Sequence, residues 1–194
     1  MNRLILWCLL VFSCSPTKEA ATGTEPYTGP NAIRRSALTT TTHDDRAYYQ
    51  GQPFSGSVYD LSMEADTVFK GEYQEGRPHG LVQKWYESGE RQECRYFSDG
   101  LKDGPQVAFW KNGNKCFEYT AEREIYQGKL QEWNVDGQLI HLAHYKDGQE
   151  EGEQKLWYDN GKIRANYVII NGRRYGLLGT KNCVNVSDSL AVNQ

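Results

Sequence analysis

The stretch EGRPHGLVQKWYESGE at 75–90 decides the fold, because its pattern returns. DGLKDGPQVAFWKNGN fills 99–114 and DGQEEGEQKLWYDNGK fills 147–162, all in one register of 24 residues. One glycine column runs Gly56, Gly80, Gly104, Gly128, Gly152, Gly176. A second runs Gly89, Gly113, Gly137, Gly161, with Ala65 in the first copy. A third holds Gly76, Gly100, Gly148 and Gly172 but is broken by Gln52 and Glu124. An apolar column runs Leu61, Trp85, Phe109, Trp133, Trp157. A fixed period of this length is the signature of a repeat architecture.

Local chemistry says which kind. The second glycine column falls in SG (88–89), NG (112–113), DG (136–137) and NG (160–161). Such dipeptides tolerate positive φ at both central positions of a type I′ turn. LVQKWYE (81–87) and ERQECRYF (90–97) then read as the two strands of a hairpin. The DGxxxG stretch reverses the chain into the next hairpin. Helix is excluded, since each interior glycine would cost about 1 kcal/mol. The expected fold is all-β: an elongated antiparallel meander of hairpin repeats over 46–176, right-twisted. A two-residue turn pairs Gln83 with Cys94 and Phe109 with Cys116. Alternation puts Trp85 and Tyr86 on opposite faces. The Trp85 column is expected on the packed face. The column Ser62, Tyr86, Trp110, Asn134, Tyr158 tolerates polar residues and is expected on the exposed one.

The flanks differ in kind. The chain has 194 residues, net charge −3 and only 38% hydrophobic residues, with 12% aromatic. No basic stripe suggests a nucleic-acid partner. Residues 1–13 (MNRLILWCLLVFS) carry Arg3 and then an apolar run about half the ~20 residues a membrane span needs. They read as a signal peptide. VFSC resembles the lipobox of bacterial lipoproteins, which implies cleavage before Cys14 and a palmitate-type lipid on it. Residues 14–45 are rich in Thr, Ser, Pro, Gly and Ala without periodicity, and read as the lipidated Cys14 followed by a flexible linker. Residues 177–194 break the period and read as a C-terminal cap or tail.

The pattern YxxGxxxGxxxxWYxxG, clearest in YQEGRPHGLVQKWYESG (73–89) and YKDGQEEGEQKLWYDNG (145–161), resembles the MORN repeat. The form is the variant of bacterial proteins often described as YwqK-family antitoxins. The resemblance spans about 49–176. It implies a repeat sheet, and roles ranging from scaffold to membrane-linked module.

Candidate chemistry is sparse. Asp147, Glu150, Glu151 and Glu153 interleave with cations on turns, which suits a solvated face rather than a convergent acid–base pair. No phosphate loop, nucleophile elbow or zinc spacing is present. His141 and His144 are three apart in a strand and face opposite sides. Cys94 and Cys116 lie about two strands apart, too far for a bond that needs Cα atoms within about 7 Å. Cys183 is a candidate metal or redox thiol, without a Cys-x-x-Cys partner. The expectation is therefore a non-enzymatic, cofactor-free module, lipid-anchored and extracytoplasmic at the bacterial cell envelope. It would bind a protein or another envelope component, with Tyr86, Trp110 and Tyr158 as contacts. The alternatives are a metal- or redox-handling accessory using Cys183, and an antitoxin-like component.

Overall fold

The computed structural model describes residues 32–40 and 44–179. Residues 1–13, Cys14 and Cys183 lie outside them. Eleven consecutive strands form the expected meander. They are β5 (Gly56–Leu61), β6 (Thr67–Gln74), β7 (Arg77–Trp85), β8 (Arg91–Ser98), β9 (Leu101–Phe109), β10 (Lys115–Glu122), β11 (Ile125–Trp133), β12 (Leu139–Lys146), β13 (Gln149–Trp157), β14 (Ile163–Ile170) and β15 (Arg173–Leu177). Each pairs antiparallel with the next.

The ordered part starts earlier than residue 46. Strand β1 (Ala32–Arg34) adds to β5 in parallel, making a sheet of twelve strands, and a 3-10 turn (Arg35–Ala37) follows it. A second, three-stranded sheet joins β2 (Thr39–Thr40), β3 (Ala47–Tyr49) and β4 (Gln52–Pro53). The reason is burial. Ile33, Leu38 and Tyr49 pack against the core of Phe54, Val58, Phe69 and Val82. Those few apolar side chains are enough to order a segment that looks like linker by composition.

The two kinds of turn sit at opposite ends from their expected places. At the second glycine column only the glycine has positive φ, as at Gly89 (+88°) and Gly113 (+88°). Gly89 N–H donates to Tyr86 O, and Tyr86 N–H donates to Glu90 O, both at 2.9 Å. This is a three-residue loop: a type I turn closed by a left-handed glycine and a bulge. In two copies the middle residue's side chain helps to hold the loop. Asn112 Oδ1 accepts from Asn114 N–H, and Asn160 Oδ1 accepts from Lys162 N–H. The type I′ turns occur instead at the other end, where both central residues have positive φ: Glu75–Gly76, Asp99–Gly100, Arg123–Glu124, Asp147–Gly148 and Asn171–Gly172.

The bulge corrects one expected pairing. Gln83 does face Cys94, but Phe109 faces Lys115 and Ala108 faces Phe117, leaving Cys116 as the extra residue. The first glycine column is not in turns at all. Gly80 and Gly104 lie inside strands, where the register slips between Gly71/Tyr73 and between Arg95/Phe97. Positive φ at Gly80 (+77°) and Gly104 (+107°) makes room for that bulge.

Ala65 occupies the glycine site of the first loop at φ +68°. Left-handed backbone is strained for alanine and free for glycine. Ala65→Gly should therefore raise stability by about 0.5–1 kcal/mol after the loss of chain entropy. A urea melt checks it; a lower midpoint would contradict the turn assignment.

Candidate binding surface

The strand faces divide differently from the expectation. Most burial lies on the face carrying Val82, which holds both core clusters, the second being Ala165, Tyr167 and Ile169. In the Trp85 column on the opposite face, Phe109 is 2% exposed, while Leu61, Trp85, Trp133 and Trp157 are half-buried. The N-terminal segment makes the difference, because it covers the Val82 face at one end of the sheet.

Tyr86, Trp110 and Tyr158 open equivalent loops. Tyr86 Oη donates to Phe109 O at 2.9 Å, and Trp110 Nε1 donates to Trp133 O at 3.0 Å. Each side chain thus ties its hairpin to the next, 23 residues on. The equivalent carbonyl for Tyr158 belongs to residue 181, outside the described residues, and Tyr158 is 42% exposed. Of the three, Tyr158 offers the most surface to a partner. Tyr86→Phe should cost about 1 kcal/mol by removing one hydrogen bond between repeats. An unchanged urea midpoint would show that water serves that hydroxyl equally well.

On the Val82 face a groove of about 530 Å³ opens where the 3-10 turn overhangs the sheet. Phe69, Tyr73, Phe97 and Tyr119 line it, and Arg35, Lys84, Arg95 and Lys102 bring four cations to it. Glu93 is the acid in the lining, bonded to Arg95 Nε at 2.9 Å and lying 3.3 Å from Lys84 Nζ. Burial pushes the Glu93 carboxyl up, but Arg95 and Lys84 outweigh it and hold it below the usual carboxylate range. Its contribution to stability is present above the unfolded carboxylate pKa and is lost as pH falls through the depressed folded value. Glu124 closes the far end, accepting from Lys102 N–H at 2.7 Å and from Lys102 Nζ at 2.8 Å. The Lys102 bond lowers the Glu124 carboxyl likewise.

From Tyr119 an aromatic row continues across the strands. Phe117 and Tyr119 on β10 have ring centroids 5.7 Å apart, Tyr119 and Tyr126 on β11 are 4.9 Å apart, and Tyr126 and Tyr145 on β12 are 5.1 Å apart. Arg95 lies over Phe117 at 5.1 Å. This row was not singled out from the sequence. Its rings come from four different columns of the 24-residue register, and strand pairing and bulges bring them together.

The remaining candidates are dispersed. Glu150 pairs with Arg174 at 3.1 Å, and Asp147 Oδ1 accepts from Gln127 at 3.1 Å, so these acids do not converge. His141 meets Glu132 at 3.1 Å, while His144 Nδ1 lies 3.1 Å from Glu153 O. Cys94 is 1% exposed and is not a free thiol; Arg91 Nη1 approaches its sulfur at 3.4 Å. Cys116 is a free thiol whose pKa is pushed up by burial and by Glu132. Among the described residues no group of three or more His, Cys, Asp or Glu could hold a metal ion, and no helix is long and apolar enough to cross a membrane.

Comparison with known proteins bears on the repeat. Residues 150–167 match the family model described as MORN repeat variant. This chain therefore carries a MORN-variant repeat, and the sheet built from its copies is a MORN-like hairpin array. No curated protein matches the chain. Among solved structures, a crystal structure of a point mutant of S. aureus TarM in complex with fondaparinux, alpha-GlcNAc-glycerol and UDP is 15% identical, with a TM-score of 0.31 over 50% of this chain and 20% of that one. A second TarM crystal structure matches at 15% identity and TM-score 0.30, over 50% of this chain and 19% of that one. The chain thus spans about a fifth of those proteins, and the likeness is too slight to carry an argument.

Proposed function

We propose that this chain is a non-enzymatic binding module, held at the bacterial cell envelope by a lipid on Cys14 and docking a protein or another envelope component. The observation that carries this reading is the twelve-stranded sheet, a single continuous layer that displays rows of side chains on two long faces. Such a layer buries little per residue and offers much surface, which suits recognition. The leader supports the address. Arg3, the short apolar run and VFSC fit export followed by lipidation. A lipid chain on Cys14 would hold the sheet close to a membrane surface. The MORN-variant repeat fits a scaffold.

The test is crosslinking in native membranes, with recovered proteins identified by mass spectrometry. Wild type should capture a defined partner from the membrane fraction, and Tyr158→Ala should lose it while melting normally. Tyr86 and Trp110 are poorer probes, since their side chains are less exposed. Cys14→Ala should leave the membrane fraction. Equal recovery from every variant, or wild type in the soluble fraction, would overturn the reading.

A further inference from the structure

We infer that the groove under the 3-10 turn, with the aromatic row leading away from it, binds an acidic polysaccharide. This rests on the binding-module reading and names the ligand of one face.

Charge comes first. The whole chain is net −3, yet the groove lining holds four cations and one acid. Counting the two further partner carboxylates, Asp60 on Arg35 and Glu124 on Lys102, the local balance is 4 − 3 = +1. An acidic chain is thus drawn to this face of an otherwise acidic protein. Lys84 and Arg95 share the single Glu93, so an entering carboxylate can take over one cation without stranding the other. A buried charge left alone would be costly, and this arrangement avoids it.

Shape comes second. A groove of about 530 Å³ falls within the size range of small-ligand sites, roughly 300–1,000 Å³. It does not end at the last cation. Tyr119 belongs to both the groove and the aromatic row, which runs on through Tyr126 and Tyr145 at centroid steps of 4.9 and 5.1 Å. Tyr126 is 39% exposed, so the row is accessible. A ligand that begins in the groove and continues over the rings must be a chain, with an anionic group at one part and ring-sized apolar faces along the rest.

Backbone chemistry selects the kind of chain. The floor is the middle of a sheet, where N–H and C=O groups are already paired between strands. A peptide laid there would find few main-chain partners of the kind that strand addition at an edge supplies. Sugar rings need none. Their hydroxyls meet Tyr119 and Tyr145, their faces meet aromatic rings, and their carboxylates meet Lys84, Arg95 and Lys102.

The experiment titrates the full-length chain with oligogalacturonate by calorimetry. Dextran serves as the neutral glycan, poly-L-glutamate as the acidic peptide and phosphatidylglycerol vesicles as the anionic lipid. Oligogalacturonate should bind and the three controls should bind at least tenfold more weakly. Lys84→Gln and Lys102→Gln should each weaken binding about tenfold, and Tyr126→Ala should weaken it comparably. Glu93→Gln, which releases both cations, should tighten it several-fold. Lys84, Lys102 and Tyr126 are partly exposed, and a thermal melt confirms that each variant folds. No binding, or binding unchanged in these variants, overturns the inference. So does equal binding of polyglutamate or vesicles, which would make the face merely cationic. If oligogalacturonate fails while membrane crosslinking still recovers a partner, this inference falls and the binding-module reading stands.

Discussion

Phe109→Ala should destabilise the sheet by about 3–5 kcal/mol, the usual cost of emptying a buried phenylalanine site. Phe109 is 2% exposed and sits on β9, in the middle of the meander. Its column neighbours Trp85 and Trp133 lie one repeat away on either side, and neither is as buried. Its own carbonyl accepts the Tyr86 hydroxyl, so a shift of this backbone also loosens the stitch to the previous hairpin. For a domain of this size, the loss translates into a fall in Tm of roughly 10 °C. Trp157→Ala, in the same column but half-buried, should cost less. Equal losses at 109 and 157 would show that the Trp85 column contributes uniformly, contrary to the burial pattern.

Gln106→Glu should be comparably damaging, and in a pH-dependent way. Gln106 is 0% exposed, and its Nε2 donates to Tyr96 O at 2.8 Å and to Gly104 O at 3.2 Å. Those carbonyls flank the bulge at Gly104. Gln154 repeats the device, donating to His144 O at 2.8 Å. A glutamate at 106 would replace the donor with a buried negative charge aimed at two oxygens, a penalty of several kcal/mol. Its folded pKa would be raised, so the penalty appears as pH rises above the unfolded carboxylate value and fades when both states are protonated. Stability of the variant should therefore recover in acid relative to wild type. Gln106→Leu should cost much less, because Val82 and Leu130 fill the same column in other copies. Urea melts at pH 4 and pH 7 on the three proteins check this; a pH-independent loss in Gln106→Glu would contradict the buried-carbonyl geometry.

The architecture was legible because the glycine columns recur at 24 residues and only hairpins need left-handed residues that often. The turn types were not. Ser88–Gly89 and Asp99–Gly100 look alike as dipeptides, yet one closes a three-residue loop and the other a two-residue turn. What separates them is backbone geometry: φ is positive only at Gly89 in the first and at both residues in the second, and composition does not record that. The column of Gly80 and Gly104 was misplaced for a related reason, since a strand bulge needs positive φ just as a turn does. Residues 32–40 read as linker because two large apolar residues, Ile33 and Leu38, leave no periodic trace.

The site was less legible still. Tyr86 and Trp110 were visible as aromatics, but their bonds to Phe109 O and Trp133 O depend on how successive hairpins stack. The groove joins Arg35, from outside the repeat, to Arg95, Lys102 and Tyr119 from three later strands. A signal was present in hindsight: Arg95 and Tyr119 share one column with Gly71, Ala143 and Tyr167. That column carries a large polar or aromatic side chain only in part of the array, which is what a local binding site within a repeat looks like.

The 24-residue unit is the structural quantum from which the sheet of this protein is assembled. Excising 123–146 removes β11, β12 and one turn of each kind, and brings Glu122 against the Asp147–Gly148 turn in unbroken register. That chain should keep a β-rich circular dichroism spectrum and one cooperative melt. Excising only 123–134 removes one strand and one turn, reverses the direction of every later strand and should abolish the cooperative transition. Cooperative melting of both chains, or of neither, would contradict the claim.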